Sequence, residues 1–266
     1  MLDQAFNELI QINQPEILIF VTVLAVILVA ISKSGFGGAL GSLGLPVMVF
    51  VFPPKLAIAV LLPLYLITDI FVAYTWRKFP VIKILKIMVL GGLSGQILGW
   101  LCFGYLDDKY ILILIGLLAL ITSIRYFKNL IWTKKDSDNS NTSFKALFLR
   151  GMGWCGFSGF SSFVALTGGI PAQIFLLPFK LERQLFVGTM SFYFLIINLA
   201  KLPFFFDLEV FSPTSILMSV MVLPILPVGI LLGKFLNRTL SDKLFYHISH
   251  FALFCCGINL IGKQIL

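Results

Sequence analysis

The chain has 266 residues, of which 59% are hydrophobic and only 12% are charged, and its mean hydropathy is +0.99. This composition excludes a soluble globular protein and indicates a helical membrane protein that crosses the bilayer several times. The net charge of +8 does not indicate a nucleic-acid partner, because most basic residues lie in short loops, where they set membrane topology.

Ten apolar segments predict an all-α polytopic fold. They cover about residues 17–32, 35–52, 56–76, 82–104, 110–127, 146–165, 169–179, 184–206, 214–236 and 245–263. Several reach the roughly 20 residues that a helix needs to cross the bilayer. The first fifteen residues contain Asp3 and Glu8 but no Lys or Arg, so they lack the basic region of a cleavable signal peptide. We therefore expect the first segment to remain as a membrane anchor.

The chain divides into two related halves. We predict a first transmembrane repeat at 1–127, a polar cytoplasmic linker at 128–144 and a second transmembrane repeat at 145–266. Residues of the first half recur at two constant spacings. Four residues recur 125 positions later: Gly44, Pro46, Pro53 and Lys55 correspond to Gly169, Pro171, Pro178 and Lys180. Five more recur 134 positions later: Gly95, Gly99, Leu106, Asp108 and Lys109 correspond to Gly229, Gly233, Leu240, Asp242 and Lys243. These matches predict that the halves are homologous, with an insertion around 204–213.

Loop charges predict how the halves are oriented. Lys and Arg cluster between the third and fourth segments, in the linker and beside the last loop, whereas the loop with Asp207 and Glu209 is acidic. Short basic loops stay in the cytoplasm. These charges are consistent with one topology if segments one and two together bring the chain back to the side of the membrane where segment one began, and segments six and seven do the same. Each half then has an odd number of segments. The halves are then inverted repeats of about five segments, with Gly-rich broken helices, in the cell (inner) membrane and with both termini outside.

A glycine-rich run with one lysine interrupts the first apolar region. Residues 31–46 read ISKSGFGGALGSLGLP. Lipid cannot satisfy non-helical backbone, so such a break must be buried in protein or line a wet cavity. Lys33 either points into that cavity or snorkels to the cytoplasmic interface. We favour the cavity, because backbone N–H groups at a helix start attract anions. The predicted anion-binding residues here are Lys33, Ser34, Gly35, Gly37 and Gly38.

The second half repeats the break without the lysine. Residues 156–171 read GFSGFSSFVALTGGIP, and Ser158 stands where Lys33 would be expected. Secondary transporters build midplane sites from paired breaks of this kind. We predict that Thr167, Gly168 and Gly169 bind substrate and that Gly44, Pro46 and Pro171 break helices.

Three further polar residues lie inside apolar segments. Asp69 is the only acid within a span, and Lys33 is its natural partner, either as a structural ion pair or as a charge-balancing or proton relay. Asn198 and Lys201 are three residues apart and share a helix face. We predict that both bind substrate, although Lys201 could instead snorkel towards the interface. Asn198 must hydrogen-bond to another helix, to water or to substrate.

No signature of an enzyme, a cofactor site or a metal site stands out. The chain has no H-E-x-x-H, G-x-S-x-G or Walker motif. His247 and His250 share a helix face but have no Cys or carboxylate nearby, which is a weak metal signal. The four cysteines form no C-x-x-C pair and lie in or beside apolar segments, so we expect packing roles. We expect no catalysis, no cofactor and no metal.

The two breaks and the polar residues after them form ordered motifs. Residues 32–41 read SKSGFGGALG, 61–69 read LLPLYLITD, 160–171 read FSSFVALTGGIP, 187–189 read VGT and 198–201 read NLAK. Over about residues 17–263 the chain resembles the sulfite exporter TauE/SafE family of membrane transporters, whose members carry A-K-x-G-F-G-G-G-L-G, L-L-P-L-L-x-x-D, F-x-S-F-x-A-H-x-G-G-x-P, V-G-T and N-x-x-K. Ala39 replaces a family glycine. Leu166 stands where many relatives have histidine, which argues against histidine-dependent coupling.

The resemblance implies movement of small organosulfur or related organic anions across the inner membrane, whereas the residues alone indicate only a small anion. We predict a secondary transporter of sulfite, a sulfonate or a related organic anion that works by alternating access. A passive anion channel and a non-transporting accessory subunit are the alternatives. The expected partners are the anionic substrate and the lipid bilayer, without nucleic acid. A coupling proton or Na⁺ and a homodimer are left open.

Overall fold

The structure is a computed structural model that describes residues 15–36, 38, 41, 43–131, 144–239 and 242–265, and within them it contains helices and no strand. The helices are α1 (Pro15–Phe36), α2 (Gly44–Met48), α3 (Pro54–Thr75), α4 (Ile82–Phe103), α5 (Asp108–Ile131), α6 (Phe144–Ala165), α7 (Gly169–Leu176), α8 (Arg183–Asp207), α9 (Pro213–Val222), α10 (Leu226–Thr239) and α11 (Asp242–Ile265). Two 3₁₀ turns, Leu177–Phe179 and Leu223–Ile225, follow α7 and α9.

Six of the described helical stretches are long and apolar enough to cross a bilayer. They are Glu16–Gly35, Pro54–Thr75, Ile82–Phe103, Asp108–Lys128, Gln184–Asp207 and Pro213–Leu236. The last one joins α9 to α10 through the turn at Leu223–Ile225. The chain is therefore an all-helical, multi-pass membrane protein, as the composition predicts.

The two glycine-rich breaks are followed by short helices. Among its described residues, the second predicted segment, 35–52, contains the end of α1, which continues to Phe36, and the five-residue α2. The segment at 169–179 contains the eight-residue α7 and a 3₁₀ turn. At about 1.5 Å per residue, neither helix is long enough to span a bilayer.

The breaks lie earlier in the chain than the predicted helix-breaking residues. Gly44 begins α2, and Pro46 and Pro171 lie in the first turns of α2 and α7, so none of the three breaks a helix. Proline is tolerated there, since the first N–H groups of a helix have no partner within it. The backbone breaks instead at Gly38 (φ 79°) and at Leu166 (φ 51°). Lys33 and Gly35 are helical, in the last turns of α1.

The predicted linker is partly helical. α5 continues to Ile131 and α6 begins at Phe144, so residues 128–131 and 144 of the predicted 128–144 linker belong to helices. The rest of the linker lies outside the described residues.

Glycine allows two helix pairs to approach closely. On the α4–α6 face, a Cβ on Gly95 would overlap the carbonyl of Gly156, and one on Gly159 would overlap the carbonyl of Gly92. On the α1–α10 face, a Cβ on Gly233 would overlap the Ser34 hydroxyl. α3 packs against α8 between these pairs and is the most enclosed candidate span, with 78% of its apolar window buried. This packing places the polar residues of α3 and α8 in the interior.

Candidate functional site

Lys33 and Asp69 form a buried ion pair. The Lys33 Nζ lies 2.6 Å from Asp69 Oδ1, and the two side chains are 5% and 2% exposed. The predicted partnership is confirmed, and the alternative that Lys33 snorkels to the interface is wrong. Lys33 lies in the last turn of α1, where the negative end of the helix dipole favours a cation.

Asn198 connects this ion pair to a second lysine. Its Nδ2 donates to Asp69 Oδ2 at 2.5 Å, and its Oδ1 accepts from Lys201 Nζ at 2.8 Å. Lys201 also donates to the Ser162 hydroxyl at 2.8 Å, so its fully buried side chain does not snorkel. Lys33, Asp69, Asn198, Lys201 and Ser162 thus form a continuous chain of contacts across α1, α3, α8 and α6, which we call the central cluster.

The central cluster contains more positive than negative groups. Two lysines face one carboxylate, so with all three ionised the cluster has a net charge of +1. Burying an uncompensated charge is costly, and charged side chains at such depth usually pair with another group. An additional anion would balance this charge.

Aromatic rings enclose the ammonium group of Lys33. Its Nζ lies 4.3 Å from the centroid of the Tyr65 ring and 5.5 Å from that of Phe194. The Tyr65 hydroxyl donates to the Gly41 carbonyl at 2.6 Å, which holds the first break against the ring. A Cβ on Gly38 would lie 3.0 Å from Phe194, in addition to the positive φ. The first glycine break is therefore packed directly over the cluster.

The second break closes the cluster from the other half. Leu166 and Gly169 line the same small cavity as Lys33 and Asn198. The Gly168 carbonyl accepts from the Ser158 hydroxyl at 2.6 Å, and Ser158 in turn accepts from the Tyr193 hydroxyl at 2.9 Å. Since Gly169 begins α7, the N-terminus of an eight-residue helix faces the cavity, and such a terminus favours negative charge.

The cavity at the cluster, which we call the central cavity, is small. Its volume is about 10 Å³, and it is lined by Lys33, Gly38, Gly41, Tyr65, Ser162, Leu166, Gly169, Phe194 and Asn198. Such a volume has room for about one water molecule. An anion the size of sulfite would therefore enter only after the surrounding helices or breaks had moved.

The predicted substrate-binding residues and the predicted charge-balancing residue Asp69 separate into three groups. Lys33, Gly38, Gly169 and Asn198 line the central cavity, and Asp69 and Lys201 contact Asn198. Ser34, Gly35, Thr167 and Gly168 do not line it. Gly37 lies outside the described residues.

Two of the residues outside the cavity have other contacts. The Ser34 hydroxyl donates to the carbonyls of Ala30 at 2.7 Å and Ile230 at 3.2 Å, so it joins α1 to α10. The Thr167 hydroxyl lies 3.3 Å from the Ser161 carbonyl, and Thr167 lines a different and larger cavity. Both were expected to contact substrate, and in this conformation neither faces the central cavity.

Sequence reasoning did not select Tyr65, Phe194 or Ser162. The first two have a recognisable signal, because Tyr65 precedes Asp69 and Phe194 precedes Asn198 by four residues, which places each pair on one helix face. Ser162 has no such signal, because its role depends on α6 packing beside α8.

The two histidines contact a tyrosine. The Nδ1 of His247 lies 2.8 Å from the Tyr126 hydroxyl, and the His250 ring stacks on Tyr126 with centroids 4.0 Å apart. Among the described residues no group of three or more His, Cys, Asp or Glu side chains could hold a metal ion.

Comparison with known families gives a match that covers most of the chain. Residues 22–260 match the family described as Sulfite exporter TauE/SafE. A search of curated proteins and a search of solved structures returned no match. The family match includes both glycine breaks and every residue of the central cluster. The chain therefore belongs to the sulfite exporter TauE/SafE family of membrane transporters.

Proposed function

We propose that this protein is a secondary transporter that moves a small anion across the membrane by alternating access, and that the anion binds at the central cluster. The observation that carries the proposal is the meeting of two buried lysines, Lys33 and Lys201, with a single buried carboxylate, Asp69. Membership of the family supports sulfite, a sulfonate or a related organosulfur or organic anion as the substrate.

The contacts of Asp69 suggest how binding would proceed. Asp69 occupies the positions on Lys33 and Asn198 that an incoming anion would take. The anion therefore competes with the carboxylate for these donors. Asp69 must then accept a proton or turn towards Lys201, and the first alternative would couple transport to protons. Na⁺ as the coupling ion would use the same carboxylate.

The packing of the helices supports inverted repeats. α1 packs against α10 of the other half, and α6 packs against α4 in the same way. α3 packs against α8 and α5 packs against α11, also across the two halves. The repeated glycines occupy equivalent contacts, since Gly95 and Gly99 of α4 approach α6, and Gly229 and Gly233 of α10 approach α1. A twofold relation between 1–127 and 145–266 would produce this pattern, with the linker in the cytoplasm of a cell with an inner membrane.

Equivalent positions of α3 and α8 are separated by a third spacing along the sequence, different from the 125 and 134 positions found elsewhere. These helices begin at Pro54 and Arg183, which are 129 positions apart, and Tyr65 and Asp69 then correspond to Phe194 and Asn198. Tyr65 and Phe194 both lie near the Lys33 ammonium, and Asp69 and Asn198 hydrogen-bond to each other. This spacing divides the proposed insertion, part of which precedes α8 instead of lying at 204–213.

The test is anion flux in proteoliposomes made with purified protein. Lys33→Ala should reduce saturable sulfite or sulfonate uptake at least tenfold, because the charge that holds the anion is removed. Lys86→Ala, on an exposed position of α4, is the matched control and should transport normally. Lys33→Ala leaves Asp69 buried without its partner, so Lys33→Met/Asp69→Leu tests transport in a cluster without an unpaired acid. Normal flux in a folded Lys33 variant contradicts the proposal.

The same vesicles distinguish transport from passive conduction. A secondary transporter accumulates the anion when a proton or Na⁺ gradient is imposed, whereas a channel only equilibrates it. The small volume of the central cavity favours the transporter, because a channel needs a continuous path wide enough for the anion. Absence of flux under every gradient, with a partner protein co-purifying, would instead support the accessory subunit.

A further inference from the structure

A second and larger cavity lies beside the central one. It has a volume of about 240 Å³ and is formed by α5, α6 and α7, with Pro46 of α2 and Leu253 of α11 completing its wall. We call it the outer chamber. The two cavities share no lining residue. The outer chamber is much larger than the central cavity and has room for a small organic molecule.

Arg125, an exposed residue, contributes a cation to a largely apolar wall. Its guanidinium lies 5.1 Å from the centroid of the Trp154 ring, and both residues line the outer chamber. Within the part of the chain that the structure describes, Arg125 forms no ion pair. Thr122 lies three residues earlier on α5 and also lines the chamber, so one wall carries a hydroxyl next to the cation.

The outer chamber and the central cavity lie on opposite sides of one turn. Along 166–170, Leu166 and Gly169 line the central cavity, while Thr167 and Ile170 line the outer chamber. The turn includes Leu166 at φ 51°, a conformation that is unfavourable for leucine and is held by its surroundings. Neighbouring residues of this turn therefore line different cavities, and we take the turn as the route between them.

We propose that the outer chamber is an access site that binds the transported anion before it reaches Lys33, and that it selects organic anions with an apolar body, such as alkyl or aryl sulfonates. Arg125 binds the acidic group, and Trp154 and the aliphatic wall contact the apolar body. The inference rests on the proposed function and deepens it by naming a substrate class. Inorganic sulfite has no apolar part and gains little from such a wall.

Direct binding tests the chamber without transport. The probe is 4-nitrobenzenesulfonate, whose nitroaromatic ring quenches tryptophan fluorescence, added to detergent-solubilised protein with correction for absorption. We expect saturable quenching, most of which disappears in Trp154→Phe. Arg125→Ala should weaken binding by about tenfold or more, as expected for loss of a charged hydrogen bond, and Arg125→Lys should weaken it less.

Arg77→Ala is the matched control. Arg77 is an exposed arginine with a similar aromatic contact, 4.2 Å from the Tyr74 ring centroid, and it does not line the chamber. Its substitution should leave quenching unchanged. Neutral nitrobenzene should bind much more weakly than the sulfonate. Equal binding of the two probes, or equal binding by wild type and Arg125→Ala, overturns the proposal.

Two further experiments are needed. One distinguishes a bound lipid from a bound organic anion, and the other distinguishes failure of the access site from failure of the proposed function. If short-chain phosphatidylglycerol displaces the probe and hexanesulfonate does not, the chamber is a lipid groove and the proposal is wrong. Lys33→Ala should retain probe binding while it loses transport. If the wild-type protein binds the probe at Trp154 but moves no anion, the proposed function fails, and the chamber is an anion-binding site but not an access site. If it moves sulfonates while Arg125→Ala leaves their KM unchanged, the chamber fails alone.

Discussion

At the scale of single residues, Asn198 holds the central cluster together. Its amide donates to Asp69 and accepts from Lys201, so one side chain satisfies both an acid and a base. No charged residue could do both, because a carboxylate only accepts and an ammonium only donates. The amide is therefore the group that allows Lys201 to lie near the Lys33–Asp69 pair without a carboxylate of its own.

The Asn198→Ala variant should be strongly destabilised. The substitution leaves one carboxylate oxygen of Asp69 and one donor of Lys201 without their partner, and each unsatisfied buried group costs about 1–3 kcal/mol. We expect a lower melting temperature in detergent, measured by tryptophan fluorescence or by loss of the monodisperse peak on heating. Leu199→Ala, at the neighbouring and exposed position of α8, is the control and should melt near wild type. Equal melting temperatures of the two variants would show that Asn198 is not structurally required.

At the scale of elements, glycine determines which helices pair. Gly95 of α4 lies against the backbone of Gly156 on α6, and Gly233 of α10 lies against Ile31 and Ser34 of α1. In a bilayer, helices associate by close packing instead of by the hydrophobic effect, so small residues at the contact have a large influence. The α4–α6 and α1–α10 pairs bring the ends of α1 and α6, which carry the breaks, into the protein interior.

Gly95→Ala should therefore disrupt folding. The new methyl group would overlap the Gly156 carbonyl, which is backbone and cannot turn aside, and overpacking typically costs about 1–3 kcal/mol. We expect low yield and a reduced melting temperature in fluorescence-detected size-exclusion chromatography. Gly153→Ala lies on α6 with nothing within 4 Å of the added Cβ, so it should behave as wild type. If Gly95→Ala is as stable as Gly153→Ala, the close α4–α6 approach is incorrect.

At the scale of the whole molecule, the two halves of the chain contribute different residues to the central cluster and the rings beside it. The first half contributes Lys33, Tyr65 and Asp69, and the second contributes Phe194, Asn198 and Lys201. Neither half has a complete site. Under the proposed function the two halves would be inverted repeats that meet at this cluster, and one set of helices would move against the other around a fixed site, as in secondary transporters.

The proposed inversion makes a prediction about topology. In a background in which the four native cysteines are replaced, Lys78→Cys should react with a membrane-impermeant maleimide only after cells are permeabilised, because Lys78 lies in a basic loop. Glu209→Cys lies in the corresponding acidic loop of the second half and should react in intact cells. Labelling of both positions from the same side would rule out inverted halves.

The membrane class, the two breaks and the polar residues were predictable from the sequence, because each depends on local chemistry. An apolar composition requires a bilayer, a glycine run cannot remain a lipid-facing helix, and a buried acid requires a partner. These arguments identified Lys33, Asp69, Asn198 and Lys201. The same arguments predicted that Lys33 pairs with Asp69, since few buried groups could neutralise the charge of either residue.

The tertiary structure decided the rest, because it depends on which helices approach and how they rotate. Ser162 contacts Lys201 only because α6 packs beside α8, and Ser34 turns to α10 although it follows Lys33 in the chain. The break lies at Gly38 and Leu166 instead of at Gly44 or the prolines, since a proline in the first turn of a helix does not disturb it. The outer chamber at Arg125 and Trp154 has no counterpart in any local pattern, because it exists only where α5, α6 and α7 meet.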